Sequence, residues 1–301
     1  MKKKILLLSG GPSKERKVSL SSGKAVLKAL KNLNYEVICV DPDYRSKNFK
    51  KYKCDVAFNA LHGQFGEDGR IQSILEKQKI PYTHSGPKSS LLAMDKVKSK
   101  KYFIKNNIIT PKYKIIRKFN DLKNNISNNK FVLKPINEGS SVGVLIFENL
   151  HKSNFSKIKL NLKKYKKLLQ EEFIEGKEVQ VAVMGNKSIG AIEIQPKRKF
   201  YDYNAKYNPK SKTKHIMPAS ITKNTYKKVL QIALHAHKSL LCKGITRSDF
   251  RVTKNNKIFL LEVNTQPGMT NLSLVPEIAE YVGISFEKLV EWIVLDASIN
   301  R

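Results

Sequence analysis

Two rhythms of apolar and polar residues run along the chain. In its first third, short unbroken apolar runs alternate with stretches spaced like a helix. The runs are "ILLL" from Ile5, "YEVICV" before Pro42, and "CDVAFNAL" ahead of a glycine-rich loop, "HGQFGEDG", that starts at His62. Between them, Val26, Leu27 and Leu30 in "SLSSGKAVLKALKNL", and Ile71, Ile74 and Leu75 in "GRIQSILEKQ", each fall on one helical face. Strands alternating with helices predict a parallel sheet, whose ligands sit in the loops beyond the strands' carboxyl ends. This first unit is expected to end between Ser85 and Ser90.

The rhythm then changes. "LLAMDKVKSKKYFIKNN" reads as one helix, and "KFVLKPINEGSSVGVLIF" as strand, loop and strand. Residues 157–169 read as a basic helical linker. "LLQEEFIEGKEVQVAVMG" reads as two strands turning near Gly176, with "SIGAIEIQP" after them. Residues 197–220 show little periodicity; a loop this long is often functional, and a lid is the reading preferred over a disordered insertion. "TKNTYKKVLQIALHAHKSLLC" is a long helix with the stripe Tyr226, Val229, Leu230, Ala233, Ala236 and Leu240, and "SFEKLVEWIVLDAS" is a closing helix. The expected domains are 1–90 (an N-terminal α/β substrate domain), 91–180 (a central domain) and 181–301 (a C-terminal domain carrying the lid loop 197–220).

The sharpest chemical signal is "RSDFRVTKNNKIFLLEVN". Two alternating apolar runs flank a polar centre, where Asn255 and Asn256 suit a tight turn. With those two residues as the turn, Asp249 faces Glu262 and Arg247 faces Asn264. Residues two apart share a strand face, so these four make one polar face, while Phe250, Val252, Leu261 and Val263 point to a core. Two opposed carboxylates repel unless a cation sits between them. All the offered ligand atoms are oxygens, which suits magnesium or manganese better than zinc. The loop "EGSSVGV" after Lys134 adds glycines, backbone N–H groups and the hydroxyls of Ser140 and Ser141, a set able to cradle an anion. It is not a Walker A string. Together these features point to ATP chemistry, with Arg247 beside developing negative charge.

Composition changes this picture little. At 301 residues, 41% hydrophobic and 27% charged, the chain is globular, and no apolar run approaches a membrane span. The net charge of +32 could attract nucleic acid. Yet the lysines are spread over the whole chain, and no basic arm or DNA-binding signature accompanies them, so neither nucleic acid nor membrane insertion is expected. Cys39, Cys54 and Cys242 have no metal-ligand spacing and read as buried, reduced thiols of a cytoplasmic protein.

In order, "GGPSKERKVSLSSG", "LHGQFGEDG", "LAMDK", "FVLKPINEGSSVGV", "YDYNAKY", "RSDF" and "LEVNTQPGMTNLSLVPE" resemble the D-alanine–D-alanine ligases, members of the ATP-grasp fold, over nearly the whole chain. The resemblance implies an α/β fold, α+β in its ATP-binding part, with an N-terminal parallel-sheet domain. It implies ATP as co-substrate, two Mg2+ (or Mn2+), two D-alanine molecules joined through an acyl phosphate, and a cytoplasmic homodimer. Residue by residue, it implies that Glu15 holds the first D-alanine's ammonium, linked to the lid by Ser140 and Tyr207. His62 positions that substrate. Lys96 and Lys134 meet phosphates, with Ser141 in the phosphate loop. Glu171, Phe173 and Ile174 meet adenine, and Glu178 the ribose. Asp249, Glu262 and Asn264 become metal ligands. Arg247 and the N–H of Gly268 stabilise the tetrahedral oxyanion, and Lys206, Ser273 and Leu274 receive the second D-alanine's carboxylate. The complete "YDYNAKY" favours an amine as the second substrate. A ligase with another acceptor would share the phosphate and metal sites. The chain departs from the family pattern at His84 (often glycine), Gln266 (often serine) and Leu272 (often histidine), which bears on domain packing and substrate placement.

Overall fold

A computed structural model of the chain describes residues 3–123, 130–196, 213–270 and 272–301. Strands β1 (Lys4–Leu8), β2 (Glu36–Val40) and β3 (Val56–Asn59) form a parallel sheet in the order β2-β1-β3, with helices α1 (Arg16–Asn32) and α2 (Arg70–Lys77) between and after them. The unbroken "ILLL" run has a simple cause. Ile5 and Leu7 pack with Val26 and Leu30 of α1, whereas Leu6 and Leu8 pack with Phe49, Ile71 and Leu75 on the other face. A parallel central strand covered on both sides has no polar face to alternate with. Edge strand β2 leaves Cys39 exposed and Cys54 is half-buried, so only Cys242 is a buried thiol, though all three are free.

The helix expected across "LLAMDKVKSKKYFIKNN" is two helices, α3 (Pro87–Met94) and α4 (Lys96–Lys105). Asp95 between them is extended (φ −86°, ψ 101°), and its carboxylate accepts the N–H groups of Val97 and Lys98. An aspartate N-cap thus starts a new helix with Lys96 in its first turn. Beyond it, β4 (Tyr113–Ile116), β5 (Phe131–Pro135), β6 (Leu145–Phe147) and β7 (Leu168–Glu172) form an antiparallel sheet in the order β4-β7-β5-β6, backed by α5 (Phe155–Tyr165). The basic helix therefore stops short of Leu168 and Leu169, because both are fully buried as strand residues.

The largest sheet has five antiparallel strands in the order β10-β9-β8-β11-β12: β8 (Lys177–Met184), β9 (Lys187–Gln195), β10 (Lys214–Ile216), β11 (Ile245–Val252) and β12 (Ile258–Asn264). Strand β10 lies inside the segment expected as a loop, where His215 pairs with Ile194 of β9. Helix α6 (Lys223–Ser239) buries Val229, Ala233 and Ala236 of the expected stripe, with Leu240 just beyond its end, against one face. Helices α7 (Leu274–Tyr281) and α8 (Phe286–Asp296) cover the other. Leu289 and Ile293 of α8 share one apolar cluster with Val26 and Leu30 of α1, so the end of the chain completes the core of its beginning.

The hairpin of β11 and β12 has the expected opposition but not the expected turn. Asp249 faces Glu262 and Arg247 faces Asn264, yet Phe250 faces Leu260 and Val252 faces Ile258. The connection spans residues 253–257, with Thr253 N–H bonded to the Lys257 carbonyl at 3.0 Å and Asn256 left-handed at φ 58°. One extra residue in the turn is offset by a bulge between Asp249 and Phe250. The bulge exchanges two side chains. Leu260 enters the core, while the expected core residue Leu261 is half-buried and lines a cleft. Leu260→Ala should therefore cost about 2–5 kcal/mol of stability. Leu261→Ala should cost under half as much, and urea unfolding of the two variants measures the difference.

Candidate functional site

The cleft lies between the four-stranded and five-stranded sheets. Its walls include Lys134 and Glu171 from one sheet and Glu178, Asp249 and Glu262 from the other, with Phe173 and Ile174 in the connection that joins β7 to β8. Lys96, Glu138 and Ser141 line it as well. Polar side chains predicted from separate motifs thus meet in one place.

The opposed carboxylates face basic groups. Arg247 forks onto Asp249, with Nε 2.7 Å from Oδ1 and a terminal nitrogen 3.0 Å from Oδ2. Lys96 Nζ lies 3.3 Å from Glu262 Oε2 and donates to the Glu138 carbonyl at 2.7 Å. Asn264 Oδ1 accepts the Gln266 N–H at 2.7 Å, which turns that amide oxygen to the end of the hairpin. Among the described residues no three His, Cys, Asp or Glu side chains gather as a metal site. The expected set has two carboxylates, and its third oxygen is an amide. That all-oxygen set, already drawing cations to both carboxylates, fits a hard divalent ion.

A buried ion triad borders the same cleft. Glu171 is only 2% exposed. Its Oε1 lies 2.9 Å from Lys100 Nζ and its Oε2 lies 2.7 Å from Lys134 Nζ. Burial alone would raise its pKa, but the lysines hold the carboxyl below its usual range. Burial pushes the Lys100 amine down to about 8, against the pull of Glu171 and with the push of Lys134. Lys134 therefore rests on Glu171. Glu178 is held by Arg251 at 2.9 Å, and that guanidinium also lies 5.8 Å from the centre of the Phe173 ring. Arg251 escaped the sequence reading, although it lies two residues beyond Asp249 and so shares its face. Lys100 escaped as well; its signal is the i, i+4 spacing from Lys96, which puts both on one side of α4.

The phosphate-type loop and the first loop of the chain meet at Glu15. Ser140 donates a hydrogen bond to Glu15 Oε2. A Cβ on Gly139 would come within 2.9 Å of Glu15 Oε1, and one on Gly63 within 3.1 Å. Two glycines from different loops therefore let the carboxylate in. Ser140 and Ser141 are both left-handed, at φ 49° and 60°, an uncommon conformation outside glycine that curls successive N–H groups inward. Beneath this, His62 is held on both sides: Nδ1 is 3.0 Å from Glu67 Oε1, and Nε2 is 3.0 Å from Ser22 Oγ. The Met269 N–H in turn donates to Ser22 Oγ at 3.2 Å. Because an ionised carboxylate only accepts, Nδ1 is the donor toward Glu67. Glu67 and Ser22 were not predicted as partners.

Gly268 and Ser273 approach closely, since a Cβ on Gly268 would meet Ser273 Oγ at 2.8 Å. Ser273 Oγ accepts the Thr270 N–H at 2.9 Å, and Leu274 is the first residue of α7. Lys206 and Tyr207 lie outside the described residues.

The departures from the family pattern also find places. Gln266 and Asn59 exchange amide hydrogen bonds, which joins the end of β12 to the end of β3. Leu272 is exposed. His84 is buried at φ 68°, a conformation natural to glycine, with its Nδ1 lacking a partner among the described residues. Burial, then Arg301 and His62 nearby, push its imidazole down to about 3 from an ordinary 6.5. The unfolded chain therefore takes a proton that the folded chain refuses. The stability tied to a neutral His84 is complete above the ordinary value and is lost as pH falls toward 3. Between pH 7 and pH 5 the natural chain should lose about 2 kcal/mol that His84→Gly keeps, read from urea unfolding of both proteins at the two pH values.

With this geometry in hand, comparison with known proteins is specific. The family models described as "D-ala D-ala ligase N-terminus" and "D-ala D-ala ligase C-terminus" match residues 41–85 and 105–295. The D-alanine–D-alanine ligase of Pelagibacter ubique (strain HTCC1062) is 59% identical over the full length of both chains. The crystal structure of the D-alanine–D-alanine ligase from Bacillus anthracis superposes with a TM-score of 0.85 at 32% identity, covering 97% of this chain and 96% of that one. The same enzyme complexed with ATP gives a TM-score of 0.83 at 29% identity, covering 98% and 97%.

Proposed function

Because the chain belongs to the D-alanine–D-alanine ligase family, with its ATP-grasp fold, we propose the following assignment of its residues to that chemistry. The enzyme is an ATP-dependent ligase that joins two D-alanine molecules for peptidoglycan precursors. The observation that carries the assignment is the opposition of Asp249 and Glu262 inside the cleft, with Lys96 and the 138–144 loop beside them.

Joining a carboxylate to an amine requires a leaving group, since a carboxylate is a poor electrophile. ATP supplies it by phosphorylating the carboxylate of the first D-alanine; the amine of the second then attacks, and phosphate departs. Glu15, fixed by Ser140 between Gly63 and Gly139, suits the first substrate's ammonium. His62, held by Glu67 and Ser22, is oriented without freedom to rotate and lines up beside it. Lys96 and Lys134 suit the phosphates, with Ser141 in the curled loop. Glu171, Phe173 and Ile174 suit the adenine and Glu178 the ribose. Asp249, Glu262 and Asn264 would hold two magnesium or manganese ions. Such ions, when bound, neutralise phosphate charge during transfer.

Arg247 and the Gly268 N–H suit the oxyanion of the tetrahedral intermediate. Arg247 is placed by its fork onto Asp249, so its charge is fixed before the reaction rather than gathered during it. Ser273 and the Leu274 N–H at the start of α7, together with Lys206, suit the second carboxylate, while Tyr207 would join Ser140 in linking Glu15 to the lid. The domain limits 1–90, 91–180 and 181–301, a homodimer and a cytoplasmic location complete the reading. They rest on family membership.

Incubation with ATP, magnesium and D-alanine should release phosphate only when D-alanine is present and yield the dipeptide by mass. Release with D-lactate but not D-alanine alone would refute the amine acceptor. Arg247→Ala should lower kcat by roughly 10²–10³, with a smaller effect on the KM for D-alanine; steady-state kinetics check both.

A further inference from the structure

Lys100 is fully buried and does not line the cleft, so it cannot touch a ligand there. Nothing in the chemistry above uses it. Yet a buried ammonium is costly, and such groups persist when they serve another charge. Its partners are Glu171 Oε1 at 2.9 Å and Thr110 Oγ1 at 2.5 Å, with the Tyr113 ring centre 5.7 Å away. The seat is rigid. Thr110 follows Ile109, whose carbonyl accepts the N–H of Leu260, and so ties this point to the strand that carries Glu262. Lys134, by contrast, lines the cleft beside Lys96 and is 8% exposed.

Two lysines on one carboxylate is one cation more than neutrality needs. If Lys134 alone paired with Glu171, an anionic ligand drawing Lys134 away would strand a buried carboxylate. Lys100 removes that conflict. We propose that Lys100 is a positioning residue, the fixed counter-ion that keeps Glu171 charged and aimed at the amino group of the base while Lys134 turns to the nucleotide's phosphates. Glu171 then acts only as an acceptor, so it favours a base that offers an N–H donor there, as adenine does, over a 6-oxo base that offers a carbonyl. Helix α4 thereby serves both ends of the nucleotide, Lys96 directly and Lys100 through Glu171.

This rests on the reading that Glu171 meets the adenine, and the experiment separates the two. Affinities of ADP, IDP and adenosine are measured by calorimetry on the full chain, with Lys100→Met, Lys134→Met and Glu171→Gln as variants. Lys100→Met should weaken ADP and adenosine alike by at least about tenfold and bring the ADP-to-IDP preference down by a similar factor. Its KM for D-alanine should stay unchanged. Lys134→Met should weaken ADP but not adenosine. If Glu171→Gln leaves the ADP-to-IDP preference intact, the adenine assignment fails. If Glu171→Gln removes that preference and a folded Lys100→Met keeps it, the Lys100 inference alone fails. Should Lys100→Met not fold, Lys100→Met with Glu171→Gln is expected to restore folding, because no buried carboxylate then depends on Lys100 for part of its charge compensation. Failure of that double variant to fold would mark Lys100 as packing only and overturn the proposal.

Discussion

The constraint on which the structure turns is electrostatic. Asp249 and Glu262 are held across from each other on adjacent strands, where backbone pairing fixes their distance whatever their charge. Such a couple is unfavourable unless positive charge is supplied. The fold supplies it from two directions, by Arg247 on the same strand and by Lys96 at the start of α4. Several features of the architecture follow from that need. The Asp95 cap breaks what would be a long helix and thereby sets Lys96 against Glu262. The bulge after Asp249 restores the pairing that the longer turn would have shifted by one residue.

The same logic recurs elsewhere in the cleft with the signs reversed. There one buried carboxylate is shared by two lysines, and the surplus charge makes the pocket receptive to an anion. The cleft thus matches two carboxylates with two cations at the hairpin and has one cation over at Glu171, which suits a ligand bearing phosphates. The +32 net charge of the whole chain contributes attraction at long range. The local pairs, shielded from solvent, decide geometry.

Ligation also needs the two substrates and the nucleotide brought together from separate parts of the chain. Three contacts do this. Ser140 reaches Glu15, Gln266 exchanges amide bonds with Asn59, and the Ser22 hydroxyl links His62 to the backbone at Met269. Each joins the parallel-sheet unit to a segment more than a hundred residues away. The apolar cluster shared by α1 and α8 holds these polar contacts in register, since it leaves the first sheet no independent freedom to shift.

Much of this was legible in the sequence, and the reason is local. Apolar periodicity marks strands and helices because burial acts residue by residue, and it correctly placed β1 to β3, α6 and the polar face of the hairpin. The motif around "RSDF" carries its chemistry in a two-residue spacing that any strand preserves. What the sequence could not carry were choices made by competing long-range contacts. Leu260 and Leu261 are chemically identical, and only the bulge decides which is core. The break at Asp95 depends on an N-cap winning over helix propensity. Lys100 and Lys134 look like two among many lysines until Glu171 is seen between them, because a charge's role is set by what it faces and by how little water is left around it.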